Sequence, residues 1–150
     1  MVVRKMDEIN MKILNVLQMN SRTTYKEISK IVKISDVAVH KRIKNMNAII
    51  KSFTILVNQQ EYGKNTTAIF DITCETGKSQ EIARKIASIE DVMEVYATLG
   101  KHDIVAKART KNMESLKGIV EKEFFNIKGI NEIRTSIVFD CIKENVSLVM

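Results

Sequence analysis

The spacing of apolar residues divides this chain into two parts that must bury different kinds of surface. Up to Met46, apolar residues recur every three or four positions, which is typical of amphipathic helices. From Thr66 onward, segments that alternate apolar and polar residues lie between helical stretches, which is typical of half-buried strands. Because strand faces and helix faces pack differently, we predict an α+β chain with one domain at residues 1–60 and another at 61–150.

Three short helices are predicted in the first domain because each begins with a capping signal. Asp7 and Ser35 can cap the first and third helices, and Thr24 with Glu27 forms a capping box at the start of the second. A tight turn at Lys33 joins the second helix to the third, which indicates a helix-turn-helix. Gly usually occupies such a turn, and Lys in its place costs about 1 kcal/mol.

The second domain is predicted to follow an extended stretch at residues 49–57 and a polar linker at 58–65. Its predicted elements are a strand at 66–74, a helix at 77–89, strands at 92–98 and 104–109, a helix after Asn112 and a strand at 133–141. This order is that of a ferredoxin-like βαββαβ sandwich, in which two helices cover one face of an antiparallel sheet.

The positive charge of the chain is concentrated in its first domain, although the whole chain carries a net charge of only +6. Residues 1–60 hold eleven Lys or Arg and four Asp or Glu, a net charge of +7. Residues 61–150 hold thirteen and fourteen, a net charge of −1. This asymmetry favours a polyanionic partner for the first domain, and a solvated lysine-rich surface is the alternative.

The outward face of the third helix carries residue types suited to double-stranded DNA. A helix fits the major groove, where side chains reach base edges while Lys and Arg hold phosphates. His40 could donate to a guanine or accept from an adenine, or it is simply an exposed polar residue. Helical hairpins of this pattern also occur as packing units. The nine residues predicted to contact DNA are Thr24, Tyr25, Ser35, Asp36, Val37, His40, Lys41, Arg42 and Lys44.

Other classes of function lack the residues they need. No apolar run approaches the ~20 residues of a membrane span, and the first residues show no signal-peptide core, so we expect a cytoplasmic protein. Cys74 and Cys141 are expected to pack in the core, because they are far apart and lack neighbouring metal ligands. We expect no metal, no cofactor and no enzymatic activity, since no catalytic constellation or phosphate-binding glycine loop is present.

Five stretches of the sequence resemble the Lrp/AsnC, or feast/famine, family of transcription regulators. They are MDEINMKIL from residue 6, the helix pair with EISKIVKIS from 27 and VHKRIK from 39, IIKSFTILVN from 49, VYATLGKHDIVAKARTKN from 95 and INEIRTSIVFDCIKE from 130. The resemblance implies a winged DNA-binding domain and a C-terminal sandwich that forms homodimers by joining sheets. It also implies assembly of dimers, typically into octamers, and a small-molecule effector, usually an amino acid, bound between dimers.

By position, the resemblance places the effector at a turn between two strands and at the last strand. Gly100 would let the backbone approach the ligand and Asp103 would meet an α-ammonium group, although both residues are also ordinary in turns. His102 stands where the family often has Tyr, and the junction KNMNAIIKSF is shorter than usual and lacks a Gly. The nine residues assigned in this way are Tyr96, Thr98, Leu99, Gly100, Lys101, His102, Asp103, Thr135 and Ser136.

The sequence leaves two hypotheses for function. The first is a sequence-specific DNA-binding transcription regulator whose assembly or DNA affinity is modulated by a small-molecule effector, an amino acid by resemblance. The alternative is an amino-acid-sensing oligomeric interaction protein with weak or no independent DNA binding. The short junction after the third helix favours the second hypothesis, and the charge asymmetry favours the first.

Overall fold

The computed structural model of the protein describes residues 6–144. This part of the chain divides into two compact units, the first made of residues 6–56 with Glu144 and the second of residues 57–143. None of its helices has both the length and the apolar composition that a membrane span requires. The first unit contains three helices, α1 (Glu8–Met19), α2 (Tyr25–Val32) and α3 (Asp36–Asn45).

Each helix of the first unit begins at the capping residue predicted for it. Asp7 accepts a hydrogen bond from the Asn10 N–H at 2.7 Å, and Ser35 accepts one from the Ala38 N–H at 3.2 Å. Thr24 caps α2 through a complete capping box with the residue three positions on. The side chain supplies an acceptor that the first turn of a helix lacks, so these positions fix where each helix starts.

The core of the first unit is made by one apolar face from each helix. Val39 and Ile43 lie on the inward face of α3, with 0% and 8% of their surface exposed. Because the three helices share these contacts, the direction of α3 is fixed by packing as well as by its cap. The buried members of this core are Ile13, Leu14, Leu17, Ile28, Val32, Val39, Ile43 and Met46.

The stretch at residues 49–57 differs from its prediction. The N–H groups of Ile49 and Ile50 both bond to the Met46 carbonyl at 2.8 Å, and no helix or strand is assigned to residues 50–65. The apolar side chains of Phe53 and Ile55 are 59% and 77% exposed. A strand needs a neighbouring strand to complete its hydrogen bonds. In the single chain, these residues therefore do not form the strand of the wing that the family resemblance implies.

The second unit has the predicted order of strands and helices. All neighbouring strands are antiparallel, and the sheet contains the second, third, first and fourth strands of the unit in that order, as expected for a ferredoxin-like sandwich. The elements are β1 (Thr66–Cys74), α4 (Ser79–Ala87), β2 (Val92–Ala97), β3 (Ile104–Thr110), α5 (Met113–Gly118), a π-helical turn (Ile119–Glu123), a 3₁₀ turn (Phe124–Asn126) and β4 (Ile130–Ile137).

The last strand lies earlier in the chain than predicted, because β1 sets its register. β1 pairs with β4 from Ala68 opposite Ile137 to Cys74 opposite Ile130. The expected strand at 133–141 therefore ends at Ile137, where β1 has almost no residues left to pair with. Cys141 falls beyond the sheet and is exposed, so its predicted place in the core is wrong, whereas Cys74 is buried.

The helices of the second unit cover one face of the sheet. Phe70 of β1 is completely buried, and its ring meets the Phe124 ring edge-on, with the centroids 4.9 Å apart. Ile82 and Ile86 of α4 lie in the same core, with 1% and 0% of their surface exposed. The opposite face of the sheet, called the outward face below, carries residues such as Ile69, which is 37% exposed.

The turn between α2 and α3 contains a residue in the left-handed region. Lys33 ends α2 with φ +57° and ψ +44°, and its N–H bonds to the Ser29 carbonyl. The Ile34 N–H bonds to the same carbonyl at 3.3 Å. Glycine suits this conformation better because it has no Cβ to collide with the following carbonyl. The turn thus forms as predicted and keeps backbone strain at Lys33.

We predict that Lys33→Gly stabilises the first unit. Removal of the strain should outweigh the extra entropy of Gly in the unfolded chain, so the free energy of unfolding should rise by about 0.5–1 kcal/mol. The matched control, Lys30→Gly inside α2, should lower it by about 1 kcal/mol. Urea unfolding of the whole chain, followed by circular dichroism of the helices, measures both changes. A lower unfolding midpoint for Lys33→Gly would contradict the prediction.

Candidate functional sites

The outward face of α3 is exposed in the way that groove contact requires. Helical geometry turns Val37, His40, Lys41 and Lys44 away from the buried residues of the same helix, and all four side chains are exposed. Val37 has 72% of its surface exposed, although it is apolar and β-branched. This surface combines an apolar group, an imidazole and two ammonium groups within three turns of helix.

The charges on this surface are free to meet an external anion. Lys41 and Lys44 form no ion pair within residues 6–144. The carboxylate of Asp36 accepts a hydrogen bond from the Val37 N–H at 2.8 Å, at the positive end of the helix dipole. The acid is thereby held at the start of α3, and the cations lie in the later turns.

Arg42 occupies a different position from the other predicted DNA-contacting residues. Its Nη1 donates to Oδ2 of Asp7 at 2.6 Å and to Oδ1 of Asn10 at 2.9 Å. These bonds join α3 to the first turn of α1. The hydrogen bond from the Arg42 guanidinium, followed by that from the Asn10 N–H, lowers the pKa of the Asp7 carboxyl below its ordinary value. The sequence did not indicate this contact, because its partners are more than thirty residues apart.

The start of α2 holds two more of the predicted residues, Thr24 and Tyr25, and the second of these contacts α3. The Thr24 N–H and hydroxyl each donate to Oε2 of Glu27 at 2.8 Å, and the Glu27 N–H donates back to the hydroxyl at 3.3 Å. The hydrogen bonds from the Thr24 N–H and, secondly, from its hydroxyl lower the pKa of the Glu27 carboxyl below its ordinary value. The next residue, Tyr25, is 45% exposed, and its ring lies against that of His40.

The turn between β2 and β3 is tied to the end of β1. The Thr98 N–H donates to the Asp103 carbonyl at 2.8 Å, and the Asp103 N–H donates to the Ile72 carbonyl at 3.0 Å. Oδ2 of Asp103 accepts a hydrogen bond from the Cys74 N–H at 2.8 Å. Burial, and secondly the Asp103 charge, raise the pKa of the Cys74 thiol. One carboxylate oxygen of Asp103 therefore holds the turn in place, a role that the sequence did not indicate.

The backbone conformation at Gly100, in the same turn, does not require a glycine. Its φ is not positive, and a Cβ added to it would meet nothing within 4 Å. The neighbouring Leu99 is fully exposed, and Nδ1 of His102 is buried without a hydrogen-bond partner among the described residues. The turn thus leaves room beside its backbone and a polar atom without a partner.

The remaining predicted effector residues do not share one surface. Residues directly opposite in an antiparallel pair lie on the same face. Ser136 is opposite Ile69 on the outward face of the sheet, whereas Thr135 is opposite Phe70 on the helix-covered face of the sheet. Tyr96 is opposite Val105, and its hydroxyl donates to Oε2 of Glu94 at 2.7 Å. Ser136 and Thr135 therefore cannot both face a ligand on one side of the sheet.

A residue outside the predicted set lies near the β2–β3 turn. The pKa of the Glu132 carboxyl is lowered, chiefly by its hydrogen bond from Arg134 at 2.8 Å and further by the charges of His102 and Lys101. Glu132 thus brings a second carboxylate close to the turn that holds Asp103. Glu132 lies opposite Thr73, near the end of β1, and no local pattern in the sequence indicates this pairing. No group of residues in 6–144 gathers the three ligands needed to hold a metal ion.

Two family models match the two units in turn. The AsnC-type helix-turn-helix domain matches residues 6–47, and the Lrp/AsnC ligand binding domain matches residues 67–148. The chain is 36% identical over 145 residues to the HTH-type transcriptional regulator FL11 of Pyrococcus furiosus, with 95% of each chain covered. It is 32% identical over 139 residues to LrpA of Pyrococcus abyssi, with 91% of this chain and 99% of LrpA covered. The chain belongs to the Lrp/AsnC family of transcription regulators, as predicted, and is not an enzyme.

Solved structures confirm the predicted fold. Escherichia coli AsnC superposes with a TM-score of 0.87 at 24% identity, covering 94% of this chain and 97% of that chain. A transcriptional regulator of Neisseria meningitidis, solved as a complex with L-Met, gives the same TM-score and identity with 95% of each chain covered. The helix-turn-helix followed by a ferredoxin-like sandwich is therefore shared across distant sequences.

We predict that the Asp7–Arg42 contact makes the first unit sensitive to acid. Because folding lowers the pKa of Asp7, the resulting stabilisation is complete above the unfolded pKa. It is lost as the pH falls below ~4 and through the folded pKa. Asp7→Asn keeps an acceptor for the cap but removes the charge. This variant should therefore be less stable than the wild type at pH 7, and the difference should shrink towards pH ~3.

Thermal unfolding followed by circular dichroism, at several pH values, measures this difference. Glu61→Gln is the matched control, because it removes one negative charge outside the first unit. It should leave the response of the first unit to pH unchanged. A constant difference between Asp7→Asn and the wild type at every pH would show that the charge of Asp7 contributes nothing.

Proposed function

We propose that this chain is a sequence-specific DNA-binding regulator, and that an amino-acid effector changes its assembly or its affinity for DNA. In this proposal residues 1–60 form the DNA-binding domain with its linker, and residues 61–150 bind the effector and oligomerise. The observation that carries the proposal is the exposed outward face of α3 within a helix-turn-helix whose inward faces form a buried core. A cytoplasmic protein that meets chromosomal DNA fits this function.

The outward face of α3 offers two kinds of contact to DNA. Lys41 and Lys44, which form no ion pair within residues 6–144, supply positive charges for phosphates, and such contacts give affinity without reading sequence. Val37 offers an apolar surface to the methyl group of a thymine, and His40 offers hydrogen-bonding nitrogens to a purine edge. The Arg42 guanidinium supports the same surface from behind by joining α3 to α1.

We predict that DNA binding by this protein falls steeply with salt and depends on Lys41. Between ~50 and ~200 mM salt, the dissociation constant should rise by more than tenfold because bound phosphates release counterions. Lys41→Ala should reduce the slope of log affinity against log salt by about 1, and Lys41→Glu should weaken binding further.

Fluorescence anisotropy with a duplex from the protein's own upstream region measures this slope. Lys111→Glu is the matched control, because Lys111 is an exposed lysine in the second unit. It should bind DNA as the wild type does. Equal losses for the Lys41 and Lys111 variants would remove α3 from the proposed contact surface.

A second candidate function is supported by the structure of residues 50–57. These residues form no strand, so the helix-turn-helix lacks the wing that would add contacts to DNA. The chain would then sense an amino acid and act through another protein, with weak or no independent DNA binding. A gel shift with the protein alone distinguishes the two functions, because only the first predicts a retarded complex.

The β2–β3 turn is the proposed effector site. Gly100 leaves space beside its backbone, where a backbone N–H group of the turn can donate to a carboxylate. Asp103 accepts the hydrogen bond from the Cys74 N–H with Oδ2, which leaves its other carboxylate oxygen, Oδ1, for a ligand. Glu132 lies near the same turn, so carboxylates are available for an α-ammonium group. The complex of the Neisseria meningitidis regulator with L-Met supports an amino acid as ligand. Thr135 contributes least to this site, because it lies on the helix-covered face.

The proposed assembly begins at the outward face of the sheet. Ile69 and Tyr96 lie there with 37% and 56% of their surface exposed, beside the half-buried Val105. An antiparallel sheet can leave one face in water, but an apolar face gains stability when a second copy covers it. We propose that two copies join through their sheets and that dimers associate further, up to octamers.

We predict that Gly100→Ala weakens effector binding without changing the fold. A methyl group at this position meets nothing in the chain, so the unfolding temperature should stay within about 1 °C of the wild type. The wild type, screened against the twenty amino acids at ~100 times the dissociation constant, should gain about 2.7 kcal/mol from its effector. Gly100→Ala should lose most of this gain, because its methyl group occupies the space of the ligand.

Gly118→Ala is the matched control, because a Cβ there also meets nothing and the position lies on α5. It should keep the effector response. Light scattering on the same samples reports whether the effector changes the mass of the assembly. An unchanged response in Gly100→Ala would move the effector away from the β2–β3 turn.

A further inference from the structure

Two exposed aromatic side chains lie against each other across the helix-turn-helix. The ring centroids of Tyr25 and His40 are 5.2 Å apart, and their planes are inclined by 40°. Tyr25 is the first residue of α2, and His40 lies on the outward face of α3. Tilted ring pairs at this separation attract each other. The contact therefore connects the start of one helix to the surface of the other that faces outward.

The backbone at both ends of this contact is fixed independently of the two rings. The capping box of Thr24 holds the first turn of α2, where Tyr25 begins. Val39, next to His40, is completely buried in the core of the unit. Since the helices are held by caps and core, the ring contact acts mainly on the side-chain rotamers. An exposed His without such a neighbour would populate several of them.

The contact contributes little to the core of the unit. Tyr25 has 45% of its surface exposed, and His40 is also exposed. Neither belongs to the buried cluster formed by α1, α2 and α3. A contact between two solvent-exposed rings on the proposed DNA-binding face therefore affects the orientation of the exposed side chains more than it affects the stability of the fold.

We propose that Tyr25 is a positioning residue that holds the His40 imidazole in the orientation from which it reads a base edge. This inference rests on the proposed DNA-binding function. A neutral imidazole has one donor and one acceptor nitrogen, which point in different directions from the ring, so its orientation decides which group meets a base. A ring held in place before binding also loses less rotamer freedom when DNA arrives.

The experiment uses the full chain and a duplex selected by the wild-type protein from a random library. The dissociation constant is measured for that duplex and for a scrambled duplex of the same length, and their ratio gives the specificity. His40→Ala and Tyr25→Ala should each lower this ratio, by roughly 3- to 10-fold for the Tyr25 variant. Tyr25→Phe keeps the ring and should stay within about twofold of the wild type. The double variant should lose no more specificity than His40→Ala alone.

Three results would overturn the proposal. The losses of the single variants could add in the double variant, which would show that Tyr25 acts independently of His40. Tyr25→Phe could lose as much specificity as Tyr25→Ala, which would assign the effect to the hydroxyl. Tyr25→Ala could weaken both duplexes equally, which would make it a contact without sequence preference. Tyr62→Ala is the control, because Tyr62 is 72% exposed in the other unit.

The same measurements separate this inference from the function on which it rests. A wild-type protein that binds selected and scrambled duplexes equally would overturn the proposed sequence-specific function, and this inference with it. A wild-type preference that survives Tyr25→Ala unchanged would overturn only the role of Tyr25. Circular dichroism melting of each variant checks the fold, and a folded Tyr25→Phe keeps the test decisive if Tyr25→Ala unfolds.

Discussion

The burial of Val39 and Ile43 is the constraint on which the first unit depends. Successive residues of a helix are rotated by about 100°, so fixing these two inward decides which side chains point outward. The core of the unit would pack equally well with polar or apolar residues at the outward positions of α3. Its outward side chains are nevertheless an apolar group, an imidazole and two ammonium groups. Packing thus sets the direction of this face, and the residues on it are left free for another purpose.

In the second unit, packing also decides which side chains point outward, but the side chains of a strand alternate with a period of two residues. Alternation along β1 sends Phe70 into the core and Ile69 to the outward face. The β2–β3 turn is then held against the end of β1 through Asp103, which bonds to the Cys74 amide. A carboxylate used in this way places the turn, and only part of its bonding capacity remains for a ligand. The family resemblance assigns Asp103 to the ligand, whereas the structure gives it a first role inside the chain.

Local signals predicted the helices and the order of strands, and long-range contacts account for the differences. Caps such as Thr24 act within one turn, so they can be found in sequence. The end of β4 depends on its register with β1, some sixty residues earlier, which no local pattern contains. Arg42 was grouped with the DNA contacts because its partner Asp7 is distant in sequence. The joint assignment of Thr135 and Ser136 could have been refined from sequence, since adjacent strand residues face opposite ways.

In the proposed function, the small size of the DNA-contacting face makes assembly the natural point of control. A single copy offers Lys41 and Lys44 for phosphates, and few phosphate contacts give weak binding at physiological salt. Two linked copies on neighbouring half-sites bind more tightly, because the second contact forms at an effective concentration set by the link between them. An effector that changes how copies associate then changes DNA affinity by orders of magnitude without altering α3. In this proposal, sequence preference stays with Val37 and His40, and sensitivity to the effector stays with the sheet.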